Sequence, residues 1–116
     1  MVAHIVLFNP KSELTAEQRQ SFAQSVRDSV RRIGRIQRAM IGRAVAVAPQ
    51  YDRTFGDKTY EYAAVLEFER AEDLLDYLNH PVHRELGRLF WENCGSAVVM
   101  EAELADALIE NLEYLV

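Results

Sequence analysis

The chain opens on an unbroken apolar run, His4-Ile5-Val6-Leu7-Phe8, before the polar Asn9 and the break at Pro10. His4, Val6 and Phe8 alternate with Ile5 and Leu7, and both sets are largely apolar. A strand with two apolar faces is a central strand covered on both sides. The pattern then changes period. Phe22, Val26, Val30 and Ile33 recur at spacings of four, four and three, which is one stripe of a helix of about five turns. Thr15 and Gln18 stand at capping-box spacing before it, and Gly34 is placed to end it in the left-handed conformation.

Two further strands are expected, Ile41 to Ala48 and Tyr60 to Phe68, joined as a hairpin by the polar segment Pro49 to Thr59. On the second of these, Tyr60, Tyr62, Ala64, Leu66 and Phe68 share a face. A helix beginning near Ala71 carries Leu74, Leu75 and Leu78 and should break at His80-Pro81, because the residue before proline is pushed out of the α region. Proline at the first helical position lets a new helix start there, carrying Val82, Leu86, Leu89, Phe90 and Asn93 up to Gly95. Ala97 to Leu104 reads as the last strand, and Leu108, Ile109, Leu112 and Leu115 could form the apolar side of a short helix in the tail. The expected organisation is one domain over residues 1–104 with a tail over 105–116.

The order β-α-β-β-α-β is the ferredoxin-like arrangement, an α+β fold with helices on one face of a four-stranded sheet. The other face spans roughly 400 Å² at ordinary strand spacings. We expect it to carry Val6, Phe8 and their neighbours. Apolar patches of that size usually mark a contact surface, and the simplest cover is the same face of a second copy, giving a homodimeric α/β barrel.

Composition narrows the function classes. The 116 residues are 49% hydrophobic and 27% charged, an ordinary globular mix, with a net charge of −5 that argues against nucleic acid as a partner. Arg27, Arg31, Arg32, Arg35, Arg38 and Arg43 cluster, while five acids and no base follow from Glu101 onward. This is either a solvated basic region and an acidic tail or a docking site for an anion or the tail of a second chain. The single cysteine, Cys94, excludes an intrachain disulfide. No segment reads as a signal peptide or membrane span, so a cytoplasmic protein that does not enter the membrane is expected. There is no Gly-rich phosphate loop, no Cys-x-x-Cys pair and no Gly-x-Ser-x-Gly elbow, so nothing calls for a cofactor.

The candidate chemistry lies in the histidines. His83 would be the third residue of a helix starting at Pro81, where the positive end of the helix disfavours imidazolium and favours a neutral, proton-accepting ring. Tyr77, one turn earlier, could present its hydroxyl to the same place. Plainer readings stand beside these. His80 would cap the helix, His4 would be a satisfied core histidine, Tyr60, Tyr62 and Trp91 would pack, and Cys94 would be a small buried hydrophobe. His80 and His83 are spaced i, i+3, but one precedes the helix and the other lies within it, so no metal is expected.

The opening His4 to Phe8, the run Tyr77-Leu78-Asn79-His80-Pro81-Val82-His83 and the later Phe90-Trp91-Glu92 together resemble the stress-responsive A/B-barrel (Dabb) family over about residues 2 to 104. The resemblance implies a homodimeric barrel of ferredoxin-like halves and no single activity. His4, Tyr77 and His83 are similar to the pattern of the family's plant polyketide cyclases of the olivetolic acid cyclase type, which close a linear polyketide by aldol condensation without a cofactor. By that similarity His83 is the general base, Tyr77 its partner and proton donor, and His4 a pocket contact. Val26 stands where that type has a tyrosine, and the tail is longer, which implies a pocket of different shape. Two functions follow as expectations: a cofactor-independent cyclase, isomerase or lyase acting on a small carbonyl compound, with His83 and Tyr77 catalytic and His4, Val6 and Phe8 binding the substrate, or a non-catalytic small-molecule-binding or stress-response protein using the same cavity.

Overall fold

The computed structural model describes residues 1–47 and 58–108. The proposed turn segment between the middle strands therefore lies mostly outside the described residues, as does most of the proposed tail helix. The elements are β1 (Val2–Pro10), α1 (Ala16–Arg32), β2 (Arg38–Arg43), β3 (Tyr62–Phe68), α2 (Ala71–Leu78), α3 (Pro81–Asn93) and β4 (Cys94–Glu103). They form one antiparallel sheet in the order β2-β3-β1-β4, which is the ferredoxin-like topology.

The central position of β1 follows from its two apolar faces. In register, His4 lies opposite Leu66 of β3 and Glu101 of β4, and Val6 lies opposite Ala64 and Val99. Residues directly opposite share a face, so His4, Val6, Phe8, Ala64, Leu66, Val99 and Glu101 look toward the helices. Two clusters fill that side. Val6, Phe8, Phe22, Val26, Ala64 and Leu86 form one, with Phe90 packed edge-on to both Phe8 (5.0 Å) and Phe22 (5.3 Å). Ile33, Leu66, Phe68, Leu74, Tyr77 and Val82 form the other.

This reverses the expected orientation of β1. Val6 and Phe8 are buried under the helices, and the open face instead carries Ile5 and Leu7. Either parity would have left an apolar face to cover, so alternation alone did not choose between them. On the open face Ile5 stands between Val65 and Met100, and Leu7 between Ala63 and Val98, with Met40 beyond Val65. Leu7, Met40, Val98 and Met100 are exposed in the single chain.

Local signals were mostly read correctly. Thr15 and Gln18 make both bonds of the capping box. The helices break at His80-Pro81, where His80 is the N-cap and its Nδ1 accepts the Val82 amide proton at 3.0 Å. Several boundaries differ: α3 ends at Asn93 and β4 begins directly at Cys94 rather than at Ala97, its Cys94 pairing with Pro10. β2 runs from Arg38 to Arg43 rather than Ile41 to Ala48, because the ladder starts where Arg38 faces Glu67 and the Gln37 amide reaches the Glu67 carbonyl. β3 begins at Tyr62, leaving Tyr60 before the strand. After α1 the left-handed residue is Arg35 (φ 72°), not Gly34. Its guanidinium bonds Asp73 at 3.0 Å and Asp76 at 3.2 Å, which anchors the α1–β2 connection to α2 and offsets the backbone strain.

Candidate functional site

A cavity of about 460 Å³ lies between the helices and the β1–β4 side of the sheet. Its existence follows from where the helices sit. They pack over β1 and β3, and they leave the helix-facing side of β4 uncovered, so that Val99 remains 53% exposed. The wall is largely apolar. Val6, Val26, Leu66 and Leu86 form part of it, and Tyr77, His83, His4 and Glu101 supply polar groups. Cavities of this size and character are typical of small-molecule sites.

Each polar residue is delivered by a different element. β1 brings His4, α2 brings Tyr77, and α3 brings His83 as its third residue. The Asn79-His80-Pro81 break turns α3 relative to α2, so that Tyr77 and His83 converge with ring centroids 4.7 Å apart, edge to face. His4 meets both, at 5.5 Å from Tyr77 and 6.1 Å from His83. The three rings named from the sequence are therefore neighbours, and the geometry is a mutual edge-on cluster at one end of the cavity.

Burial sets their protonation. Tyr77 is only 2% exposed, and loss of solvent pushes its phenol up to about 12. At neutral pH it is a hydroxyl able to donate a hydrogen bond without ionising. The His83 pKa is held below the ordinary histidine value, first by burial and then by the neighbouring His4; the Leu78 backbone and the Glu101 carboxylate pull the other way. The direction agrees with the neutral ring expected at a helix start, although removal from water is the larger cause. Cys94, half-buried on the wall, has its thiol pushed up to about 11, chiefly by burial, so it remains the protonated thiol.

The remaining candidates separate. Val6 lies on the cavity wall, whereas Phe8 is in the packed core beside it, stacked on Tyr62 at 5.6 Å and outside the lining. His80 is occupied as a helix cap. Trp91 does not pack as expected: it is 86% exposed and stands at the edge of the cavity. Glu101 was not singled out as a site residue. It accepts from or pairs with His4 Nδ1 at 2.7 Å across the β1–β4 ladder. Its only signal in the sequence was a carboxylate closing the apolar run Ala97-Val98-Val99-Met100.

Comparison with known proteins decides the family. The model of the stress responsive A/B barrel domain (Dabb) family matches residues 2–104. The chain belongs to the Dabb family. Among solved structures, the Dabb chain is similar to a protein of Arabidopsis thaliana, with 19% identity, 92% of this chain and 98% of that chain covered, and a TM-score of 0.76. It is similar to the hydroxynitrile lyase of Passiflora edulis at 22% identity, covering 91% of this chain and 94% of that one, with a TM-score of 0.76. A dimeric ferredoxin-like protein of unknown function from Bacteroides fragilis aligns at 22% identity over 89% of this chain and 95% of that one, with a TM-score of 0.63. At these identities the likeness establishes the shared fold. A sequence search of curated proteins gives no match. Among the described residues, no helix is long and apolar enough to cross a membrane.

Proposed function

We propose that this Dabb protein is a homodimeric, cofactor-independent enzyme that moves a proton on a small, largely apolar carbonyl compound, in the cyclase, isomerase or lyase range. The observation that carries the reading is the convergence of His83, Tyr77 and His4 on the wall of a 460 Å³ cavity. His83 is the base. Its neutral ring takes a proton from the carbon beside the carbonyl, and the C–H electron pair moves into the carbonyl to form an enolate. Tyr77, a hydroxyl that does not ionise at neutral pH, donates a hydrogen bond to the enolate oxygen. His83 then returns the proton: to another carbon in an isomerisation, to the alkoxide formed when the enolate carbon bonds a second carbonyl carbon in a cyclisation, or to a leaving group whose bond to the β carbon is broken by the enolate electron pair in an elimination. His4 and Val6 are substrate contacts, and Phe8 supports the wall from behind. Val26 on the wall leaves room beside the base.

The lyase range draws support from the hydroxynitrile lyase among the similar structures. The dimer draws support from the dimeric ferredoxin-like neighbours and from the exposed apolar row Leu7, Met40, Val98 and Met100. A lone cysteine fits a cytoplasmic location. The apolar character of most of the wall favours a second reading, a non-catalytic carrier of a small molecule in the same cavity.

The test is His83→Ala. Deuterium uptake beside the carbonyl of small alkyl and aryl ketones is followed by NMR for both proteins, as is cleavage of hydroxynitriles, in which the same base takes the hydroxyl proton while the C–CN bond breaks and cyanide leaves with the proton. Loss of about 10² to 10⁴ in rate with an unchanged circular dichroism spectrum supports the enzyme. Equal, buffer-level rates for both proteins across the panel, with ligands still binding the wild type, establish the carrier.

A further inference from the structure

The His4–Glu101 pair has a consequence beyond holding two strands together. A histidine has two ring nitrogens, and in the neutral ring only one carries a proton. A carboxylate 2.7 Å from Nδ1 is an acceptor, so it selects the tautomer with the proton on Nδ1. The other nitrogen, Nε2, then keeps a lone pair. His4 lines the cavity and its Nδ1 is engaged by Glu101, so Nε2 is the ring nitrogen left for a ligand. Glu101 is 42% exposed at its side chain, so water can reach it and its role is orientation rather than a deeply buried charge pair.

We propose that Glu101 is a positioning residue that fixes His4 with its proton on Nδ1, so that Nε2 accepts a hydrogen bond from a ligand hydroxyl. The inference rests on the cavity being the ligand site and adds a substrate class: compounds bearing a hydroxyl, either a phenol or a hydroxy group beside the reacting carbonyl. The polar wall then offers complementary groups. Tyr77 donates to a carbonyl oxygen, His4 accepts from a hydroxyl, and His83 works on the carbon between them. Among the described residues, the titratable side chains lining the cavity are His4 from β1, Tyr77 from α2, His83 from α3, and Glu101 and Cys94 from β4, and Cys94 stays a neutral thiol outside this scheme. An apolar compound without a hydroxyl would leave the His4 lone pair desolvated and unpaired, which is the usual origin of discrimination at such a site.

Two measurements on the full-length protein test this, and neither requires turnover. The first is long-range ¹H–¹⁵N NMR of the imidazole rings above pH 7.5, which reads the tautomer directly. His4 is expected as the Nδ1–H form in the wild type, and this preference should be lost in Glu101→Leu and weakened in Glu101→Gln. Nε2–H as the dominant wild-type form overturns the proposal. The second compares 4-methylphenol with 4-methylanisole, which differ in the hydroxyl. The wild type should bind the phenol about tenfold more tightly, the worth of one good hydrogen bond, and Glu101→Leu should reduce that ratio toward one. A ratio that is unchanged by the substitution, or binding of neither arene, removes the acceptor role. A protein that passes both tests yet turns over no carbonyl compound would retain the Glu101 assignment and lose only the enzymatic reading.

Discussion

At the residue scale, His83 links burial to chemistry. Its folded pKa lies below the unfolded value of about 6.5, so between those two values the unfolded chain binds more protons than the folded one. Its contribution to stability is therefore fully present above about 6.5 and is lost as pH falls through the folded value. Chemical denaturation across pH 5 to 7.5 should show this fall, and His83→Gln should flatten that part of the curve. An identical slope in the variant would assign the effect to other groups. In the proposed function the same neutral ring is the base, so the rate should drop on the acid side with a midpoint below 6.5. His4, Tyr77 and His83 were legible because each belongs to a short local pattern. Glu101 was not, because its partner lies 97 positions away and the register of β1 against β4 is set by distant packing. The face of β1 was misread for a related reason: both of its faces are apolar, and only the packed helices reveal which side they cover.

At the scale of elements, the break between α2 and α3 turns two helical residues into a converging pair. His80 serves this break as the cap, and Pro81 takes the first helical position, where its missing amide proton costs nothing. His80→Ala should therefore lower stability by about 1 kcal/mol in urea titrations, and His80→Ser should recover most of the loss. Binding of 4-methylphenol should change far less than in variants of the cavity wall. A larger effect of His80→Ala on binding than on stability would place His80 in the site and contradict its role as a cap. Capping chemistry of this kind is local, so the boundary at Pro81 and the start of α1 were readable in advance. The start of β2 was not, since Arg38 enters the ladder through its pairing with β3 rather than through any propensity of its own. Arg35 in the left-handed region belongs to the same class: contacts with Asp73 and Asp76 of α2 hold it there, and no nearest-neighbour pattern announces them.

At the scale of the whole molecule, among the described residues helices cover one side of the sheet and none covers the other. The ferredoxin-like order was legible because each element had its own period, and four strands with three helices admit few ways to bury their apolar faces. The row of Ile5, Leu7, Met40, Val65, Val98 and Met100, which no helix covers among the described residues, is the surface that the proposed second copy would cover. A charge placed in its middle, Leu7→Asp, should yield a monomer by analytical ultracentrifugation while the helical signal persists, since Leu7 points away from the helices. His4, Val6 and Glu101 of the cavity lie on the helix-facing side of the sheet, opposite this row. The measurement that tests this account most directly is native mass spectrometry of the freshly purified protein at micromolar concentration. The account predicts a species at twice the 13.3 kDa chain mass, releasing a small hydroxyl- or carbonyl-bearing compound on activation. A clean monomer under those conditions would contradict it.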